Sequence, residues 1–187
     1  AGEVIERPAS AVKELVENSI DAGATQISVE VEEGGLEKIR IVDDGHGMGP
    51  EDAALAFARH ATSKVASLED LFQIRTLGFR GEALASIASI AHVTLKTRQA
   101  EDRVGAVVEV DGGKGLPVEA SACDVGTDVL VQRLFSHTPA RKKYMKTERT
   151  EYGHIFDLLL GVALAHPEVG LRLMRDSEKI FDLPPNQ

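Results

Sequence analysis

The sequence predicts an α+β fold, a two-layer sandwich with helices on one face of a mixed, mainly antiparallel sheet. Three observations carry that expectation. Apolar and polar residues alternate in short runs at 25–32, 38–42, 92–98, 105–110 and 127–134, the pattern of strands with one buried face. Glycine-containing stretches at 34–35 and 112–115 follow such runs as hairpin turns, without an intervening helix. Helical periodicity is confined to a few segments standing between hairpins, and elements in that order pack as helices against one side of a sheet rather than as a doubly wound parallel fold. No internal repeat, low-complexity stretch or linker divides the 187 residues, so one domain is expected over 1–187.

The chain opens abruptly. Ala1 is not a methionine and AGEVIERPAS reads like a motif already under way, so an upstream segment is expected to be missing. Pro8 suits the first turn of a helix, which runs to about Ala22, where Gly23 can stop it. This helix carries KELVENSIDAG at 13–23. At about 100° per residue, Val12, Leu15, Val16 and Ile20 fall on one side and Glu14, Asn18 and Asp21 along a polar stripe on the other. A solvated surface helix and a helix that turns polar groups into a site both fit this pattern.

TQISVEVE and KIRIV, on either side of Gly34 and Gly35, read as an antiparallel hairpin with Ile27, Val29, Val31, Ile39 and Ile41 inward. The second strand leads into Asp43-Asp44-Gly45-His46-Gly47-Met48-Gly49, and Pro50 opens a helix over roughly 50–60. Residues 61–80 show little periodicity beyond Leu68, Leu71 and Phe72, with Ser67 and Asp70 placed like a capping box. A long connection with one short helix is expected there, ending in Gly78-Phe79-Arg80-Gly81 before the small-residue helix EALASIASIA. HVTLKTR follows with Val93, Leu95 and Thr97 alternating, then GAVVEV and TDVLVQRL as strands. A helix over about 147–165 turns Ile155, Leu158, Leu159 and Val162 inward and is closed by Pro167. LRLMRD and KIFDL form a last hairpin around Ser177, and Pro184-Pro185 ends the pattern.

Composition narrows the function classes. A 43% hydrophobic chain of this length can bury a core, while no apolar run is long enough to span a bilayer and no signal peptide opens the chain. A soluble, cytoplasmic protein with no membrane partner is expected. The single Cys123 allows no internal disulfide and reads as a small packed residue. A net charge of −9 argues against nucleic-acid binding over the whole surface, yet RLFSHTPARKKYMKTER at 133–149 gathers Arg133, Arg141, Lys142, Lys143, Lys146 and Arg149 against only Glu148. That run is either a solvated basic face or a local patch for weak DNA contact, with Phe135 and Tyr144 as its only aromatics for stacking on bases.

Two glycine-rich elements could carry chemistry. There is no G-x-x-x-x-G-K-S/T, which excludes a P-loop, and GHGMG has neither the spacing nor the βαβ setting of a dinucleotide site. Asp43, however, ends a buried strand just before glycines that let a ligand approach the backbone. An ionised carboxylate only accepts hydrogen bonds, so it suits the exocyclic amine of adenine and opposes the carbonyl of guanine. Gly78 and Gly81, with the helix N-terminus after them, offer backbone N–H groups to phosphates, and Arg80 adds charge. If a nucleotide lies between these two elements, Asn18 can give a carbonyl oxygen to Mg²⁺ and Glu14, one turn away, can deprotonate the attacking water.

KELVENSIDAG, DDGHGMG and TLGFRGEALASI, in that order, resemble the N-terminal ATPase domain of the MutL family of DNA mismatch repair proteins, within the GHKL ATPases. AGEVIERPAS, ARHATSK at 58–64 and TPARKK at 138–143 match the same pattern, so the resemblance covers nearly the whole chain. It implies the GHKL (Bergerat) ATP-binding sandwich, with ATP and Mg²⁺ bound, slow hydrolysis, lid closure and ATP-driven self-association. It also implies signalling between a mismatch-recognition protein and downstream repair factors. By matching positions Glu14 is the general base, Asn18 the magnesium ligand and Asp43 the adenine contact. Gly45, Gly47 and Met48 line the adenine end, and Thr127 of the GT pair completes the pocket. Residues 59–81, including Thr62, Ser63, Lys64, Gly78, Phe79, Arg80 and Gly81, form the lid and phosphate loop. The family has an asparagine at His137 and an aromatic at Ser136. Its following domain, which lends a lysine to the γ-phosphate, is expected to be missing, so nucleotide binding should exceed hydrolysis. A DNA-binding or scaffold module with a vestigial pocket is the competing expectation.

Overall fold

The computed structural model describes residues 5–58 and 82–186. Helix α1 spans Pro8–Asp21, followed by β1 (Gln26–Glu32), a short 3-10 turn (Glu33–Gly35) and β2 (Lys38–Asp43). Then come α2 (Pro50–Leu55), α3 (Ala83–Ile90), β3 (His92–Arg98), β4 (Gly105–Asp111), β5 (Lys114–Gly115), β6 (Glu119–Ser121) and β7 (Gly126–Gln132). The chain closes with α4 (Pro139–Lys143), α5 (Glu148–Ala165), β8 (Gly170–Arg175) and β9 (Glu178–Leu183).

The strands form one sheet in the order β5-β4-β3-β7-β2-β1-β8-β9, with β6 also paired to β4. Among the described residues only the β1–β8 pairing is parallel, which makes the sheet mixed and mainly antiparallel. Register aligns the inward residues in rows. One row runs Leu173, Val29, Ile41, Val129, Leu95 and Val108, all buried. Against this apolar face lie α1, through Ala11, Val12, Leu15 and Val16, and α3, through Leu84, Ile87 and Ala88. Each of these Val, Leu and Ile side chains withdrawn from water contributes about 1.5 to 3 kcal/mol, so the shared layer rather than helix propensity holds α1 in place. The opposite face of the sheet is polar, with Arg40 Nη2 2.8 Å from Asp128 Oδ2 and Lys38 Nζ bridging Glu30 and Glu32.

Several boundaries differ from the sequence expectation. The helix expected over 50–60 stops at Leu55. The strand expected to reach 134 ends at Gln132, because Arg133 and Phe135 adopt positive φ and turn Leu134 and Phe135 into the core. Phe135 is therefore fully buried and is not an aromatic for stacking on bases, whereas Tyr144 is 82% exposed. β5, β6 and α4 are additions to the expected elements, the first two being short edge pairings of two and three residues and the last a single turn and a half with no buried residue. α5 begins where expected, with the Thr147 hydroxyl accepting from the Thr150 N–H. Its face is less regular than the periodicity suggests: Glu151 is buried with Ile155 and Leu159, and Leu164 is exposed. Among the described residues no helix is long and apolar enough to cross a membrane.

Candidate functional site

One row of the sheet breaks the apolar pattern. Cα register pairs Asp43 of β2 with Thr127 of β7, and Thr127 with Thr97 of β3. These three point to the helix-covered face, directly beyond Ile41, Val129 and Leu95. Asp43 and Thr127, at the end of an otherwise dry face, form the floor of a cleft, with Thr97 buried beside Thr127. Leu15, Ile41, Leu84, Leu95 and Val129 supply its apolar walls, and Asn18, Ser19, Asp43, His46, Gly47, Met48 and Thr127 its polar and backbone lining.

Asp43 is 8% exposed. Its Oδ2 accepts from the Ser19 hydroxyl at 2.6 Å and its Oδ1 from the Gly45 N–H at 2.9 Å. Burial pushes its carboxyl above the usual range, against hydrogen bonds from Ser19, Gly45 and the Thr127 backbone that favour the charged form. Three donors leave one of the carboxylate's roughly four lone-pair sites unfilled, and Asp43 lines the cleft, so it can present an acceptor there. The neighbouring Asp44 faces away: it takes the N–H groups of Thr25 and Gln26 and the Thr25 hydroxyl. Burial alone would raise the Asp44 carboxyl, but these bonds outweigh it and hold it below the usual range. One aspartate of the pair therefore faces the site and the other ties the loop to β1.

The loop after β2 is held close to its neighbours. Gly47 has φ +66°, and a Cβ there would lie 2.0 Å from the Arg98 carbonyl oxygen, so no other residue fits without backbone movement. The Met48 N–H donates to Thr97 Oγ1 at 2.9 Å, and Met48 is buried. His46 gives both its backbone N–H and its ring Nδ1 to the Ala22 carbonyl, at 3.0 and 2.8 Å, stapling the loop to the end of α1. Ala22 is also the C-cap of that helix.

The structure thus brings together Asn18, Asp43, Gly47, Met48 and Thr127 of the residues expected from sequence, with Gly45 beside them through its bond to Asp43. Glu14 lies one turn before Asn18 on α1, half-buried and outside the lining of the cleft. Thr62, Ser63, Lys64, Gly78, Phe79, Arg80 and Gly81 lie outside the described residues. Two contributors were missed. Ser19 sits next to Asn18 but on the buried side, where a hydroxyl among apolar positions was the available signal. Thr97 alternates with Val93 and Leu95, so its inward direction was legible, but its neighbours across the sheet were not. The basic run gathers Lys142, Lys143 and Tyr144 as exposed residues at α4, while Arg141 Nη1 donates to the Ile5 carbonyl. His137 Nε2 meets Asp111 Oδ1 at 2.8 Å, a structural contact away from the cleft.

Comparison with known proteins places the chain in a family. A family model described as histidine kinase-, DNA gyrase B- and HSP90-like ATPase matches residues 5–115. The MutL mismatch repair protein of Koribacter versatilis is 55% identical over 185 residues, 99% of this chain and 29% of that protein. The MutL of Exiguobacterium sibiricum is 56% identical over 97% of this chain and 30% of its own length. A solved Aquifex aeolicus MutL ATPase domain complexed with ADP superposes with a TM-score of 0.78 at 34% identity, covering 98% of this chain and 66% of that one. The chain spans under a third of the curated MutL proteins it matches. The cleft lies within the matched residues on its α1, β2 and β3 sides, and the chain belongs to the histidine kinase-, DNA gyrase B- and HSP90-like (GHKL) ATPase family, where it is similar to the ATPase domain of MutL.

Proposed function

We propose that the cleft binds ATP with Mg²⁺ and hydrolyses it slowly, with Asp43 receiving the exocyclic amine of adenine. The observation that carries this reading is the buried Asp43 carboxylate, held by Ser19, Gly45 and the Thr127 backbone in the lining of a cleft with apolar walls. Gly45, Gly47 and Met48 line the base, and Thr127 completes that end. The proposed phosphate loop and lid are drawn from Thr62, Ser63, Lys64, Gly78, Phe79, Arg80 and Gly81.

The donor set fits magnesium brought in by the nucleotide. Among the described residues no group of three or more His, Cys, Asp or Glu could hold a metal. Asn18, a single neutral oxygen ligand at the cleft, suits an ion whose other positions are filled by phosphates and water. When bound, Mg²⁺ neutralises charge developing on the phosphates. Glu14, one turn away on the same helix, accepts the proton of the attacking water, and Asn18 orients the metal side of the site. Weak turnover is proposed for these 187 residues by themselves, because the resemblance assigns the γ-phosphate lysine to a following domain.

For the whole protein we extend the reading to DNA mismatch repair. Lid closure and self-association on ATP binding would pass a signal from a mismatch-recognition protein to downstream repair factors in the cytoplasm. The exposed Lys142 and Lys143 support weak DNA contact as a second property of the chain. Titration calorimetry with Mg-ADP and Mg-GDP tests the site. Binding of ADP with at least tenfold preference, about 1.4 kcal/mol, is expected, and equal affinities would remove the role given to Asp43.

A further inference from the structure

We infer that Thr97 is a specificity-positioning residue: its hydroxyl fixes the direction of the Thr127 hydroxyl, so that Thr127 presents only an acceptor to the base. The inference rests on the nucleotide reading above and deepens it.

The hydrogen-bond accounting around Thr97 leaves one arrangement that satisfies every partner. Thr97 is fully buried. Its Oγ1 accepts from the Met48 N–H at 2.9 Å and lies 3.0 Å from both the Gly126 carbonyl oxygen and Thr127 Oγ1. A threonine hydroxyl has one hydrogen and two lone pairs. The carbonyl of Gly126 can only accept, so the Thr97 hydrogen goes there. The second lone pair of Thr97 is then free for the Thr127 hydrogen, and Thr127 must be the donor between the two hydroxyls. Thr127 lines the cleft, so what it turns toward a ligand is lone pairs.

The consequence is a row with one polarity. Asp43 and Thr127 are opposite one another across β2 and β7, and both offer acceptors. A base edge bearing an amine meets this row well. A base edge bearing a carbonyl in the same place meets acceptor against acceptor, and Thr127 cannot rotate to donate while Thr97 holds its hydrogen. Thr97 does not line the cleft, so it acts through Thr127 and through the Met48 backbone.

The test compares Mg-ADP with Mg-IDP, in which the amine of the base is replaced by a carbonyl, by calorimetry on wild-type protein and on Thr97→Val and Thr97→Ser. Valine keeps the shape and removes the hydroxyl, which frees the Thr127 hydrogen. The ADP-over-IDP preference should fall roughly 3- to 10-fold in Thr97→Val, while Thr97→Ser should keep it. A purely structural role for Thr97 would weaken both ligands alike and leave the ratio unchanged, which overturns the inference. Thr127→Val is the second variant, for the case that Thr97→Val does not fold. It should lower the same ratio by a similar factor, and an unchanged ratio there also overturns the inference. Wild-type protein that binds neither nucleotide would overturn the nucleotide reading itself, whereas wild-type preference for ADP with an unaltered ratio in the variants removes only Thr97.

Discussion

Ser19 Oγ lies 2.6 Å from Asp43 Oδ2 and 3.2 Å from the Leu15 carbonyl oxygen, so one hydroxyl hydrogen has two acceptors within reach. With Asp43 ionised, the hydroxyl donates to the carboxylate. With a group at 43 that itself donates, the hydroxyl can turn back to Leu15 and accept. The contact between α1 and β2 therefore serves a charged and a neutral side chain with the same heavy-atom positions.

This makes Asp43→Asn informative. Burial holds the Asp43 proton in the folded protein at pH values where the unfolded chain has released it. Folding therefore weakens as pH rises from the unfolded value through the higher folded one, and the cost of the buried charge persists above it. Asparagine removes that cost and can donate to Ser19. Stability at neutral pH should be unchanged within about 1 kcal/mol or slightly higher, and the pH-dependence from this group should vanish. Adenine preference should be lost at the same time. Urea unfolding from about pH 3 to about pH 8, with ADP and GDP titrations, measures both. A large loss of stability at neutral pH would mean that the charge itself holds the fold.

Glu14→Ala separates chemistry from binding. A general base adds about 10² to 10⁴ in rate, so Mg-ATP turnover should fall at least about 100-fold while Mg-ADP affinity changes little. Glu14 is outside the lining of the cleft, which is why affinity should be spared. Phosphate release measured beside calorimetry distinguishes the two, and unchanged turnover would remove the role given to Glu14.

Gly47→Ala should be costly to the fold. A Cβ at φ +66° would stand 2.0 Å from the Arg98 carbonyl oxygen and 3.1 Å from that of Gly126. Strain and overpacking together should lower stability by about 2 to 4 kcal/mol. Gly113→Ala is the comparison, since its added Cβ meets nothing within 4 Å although φ is +84°. Thermal unfolding of both variants shows whether close approach or backbone angle dominates at Gly47.

The charge-reversed pair Lys142→Glu and Lys143→Glu tests DNA contact at α4. Both side chains are exposed, and Arg141 is left in place because it donates to the Ile5 carbonyl. If the two lysines meet phosphates, the slope of log affinity against log salt should drop by about 2. A slope identical to wild type would make this run a solvated face.

Local chemistry was sufficient for much of this protein. Alternation placed Ile27, Val29, Ile39 and Ile41 inward, and the structure buries all four. Pro8 and Gly23 bounded α1 within about one residue, since a ring-fixed φ and a left-handed turn are properties of single residues. The ordered motifs pointed to Asn18, Asp43, Gly47, Met48 and Thr127, and these meet at one cleft. Tertiary structure decided what depends on register and on neighbours distant in sequence. The alignment of Asp43, Thr127 and Thr97 joins three strands distant in sequence, and a one-residue slip in any of them would turn its side chain to the opposite face. The burial of Phe135 required two non-glycine residues at positive φ, a conformation that packing imposes and that no local preference announces. Sequence named residues that meet at one cleft; only the paired strands fixed which partners their polar groups take.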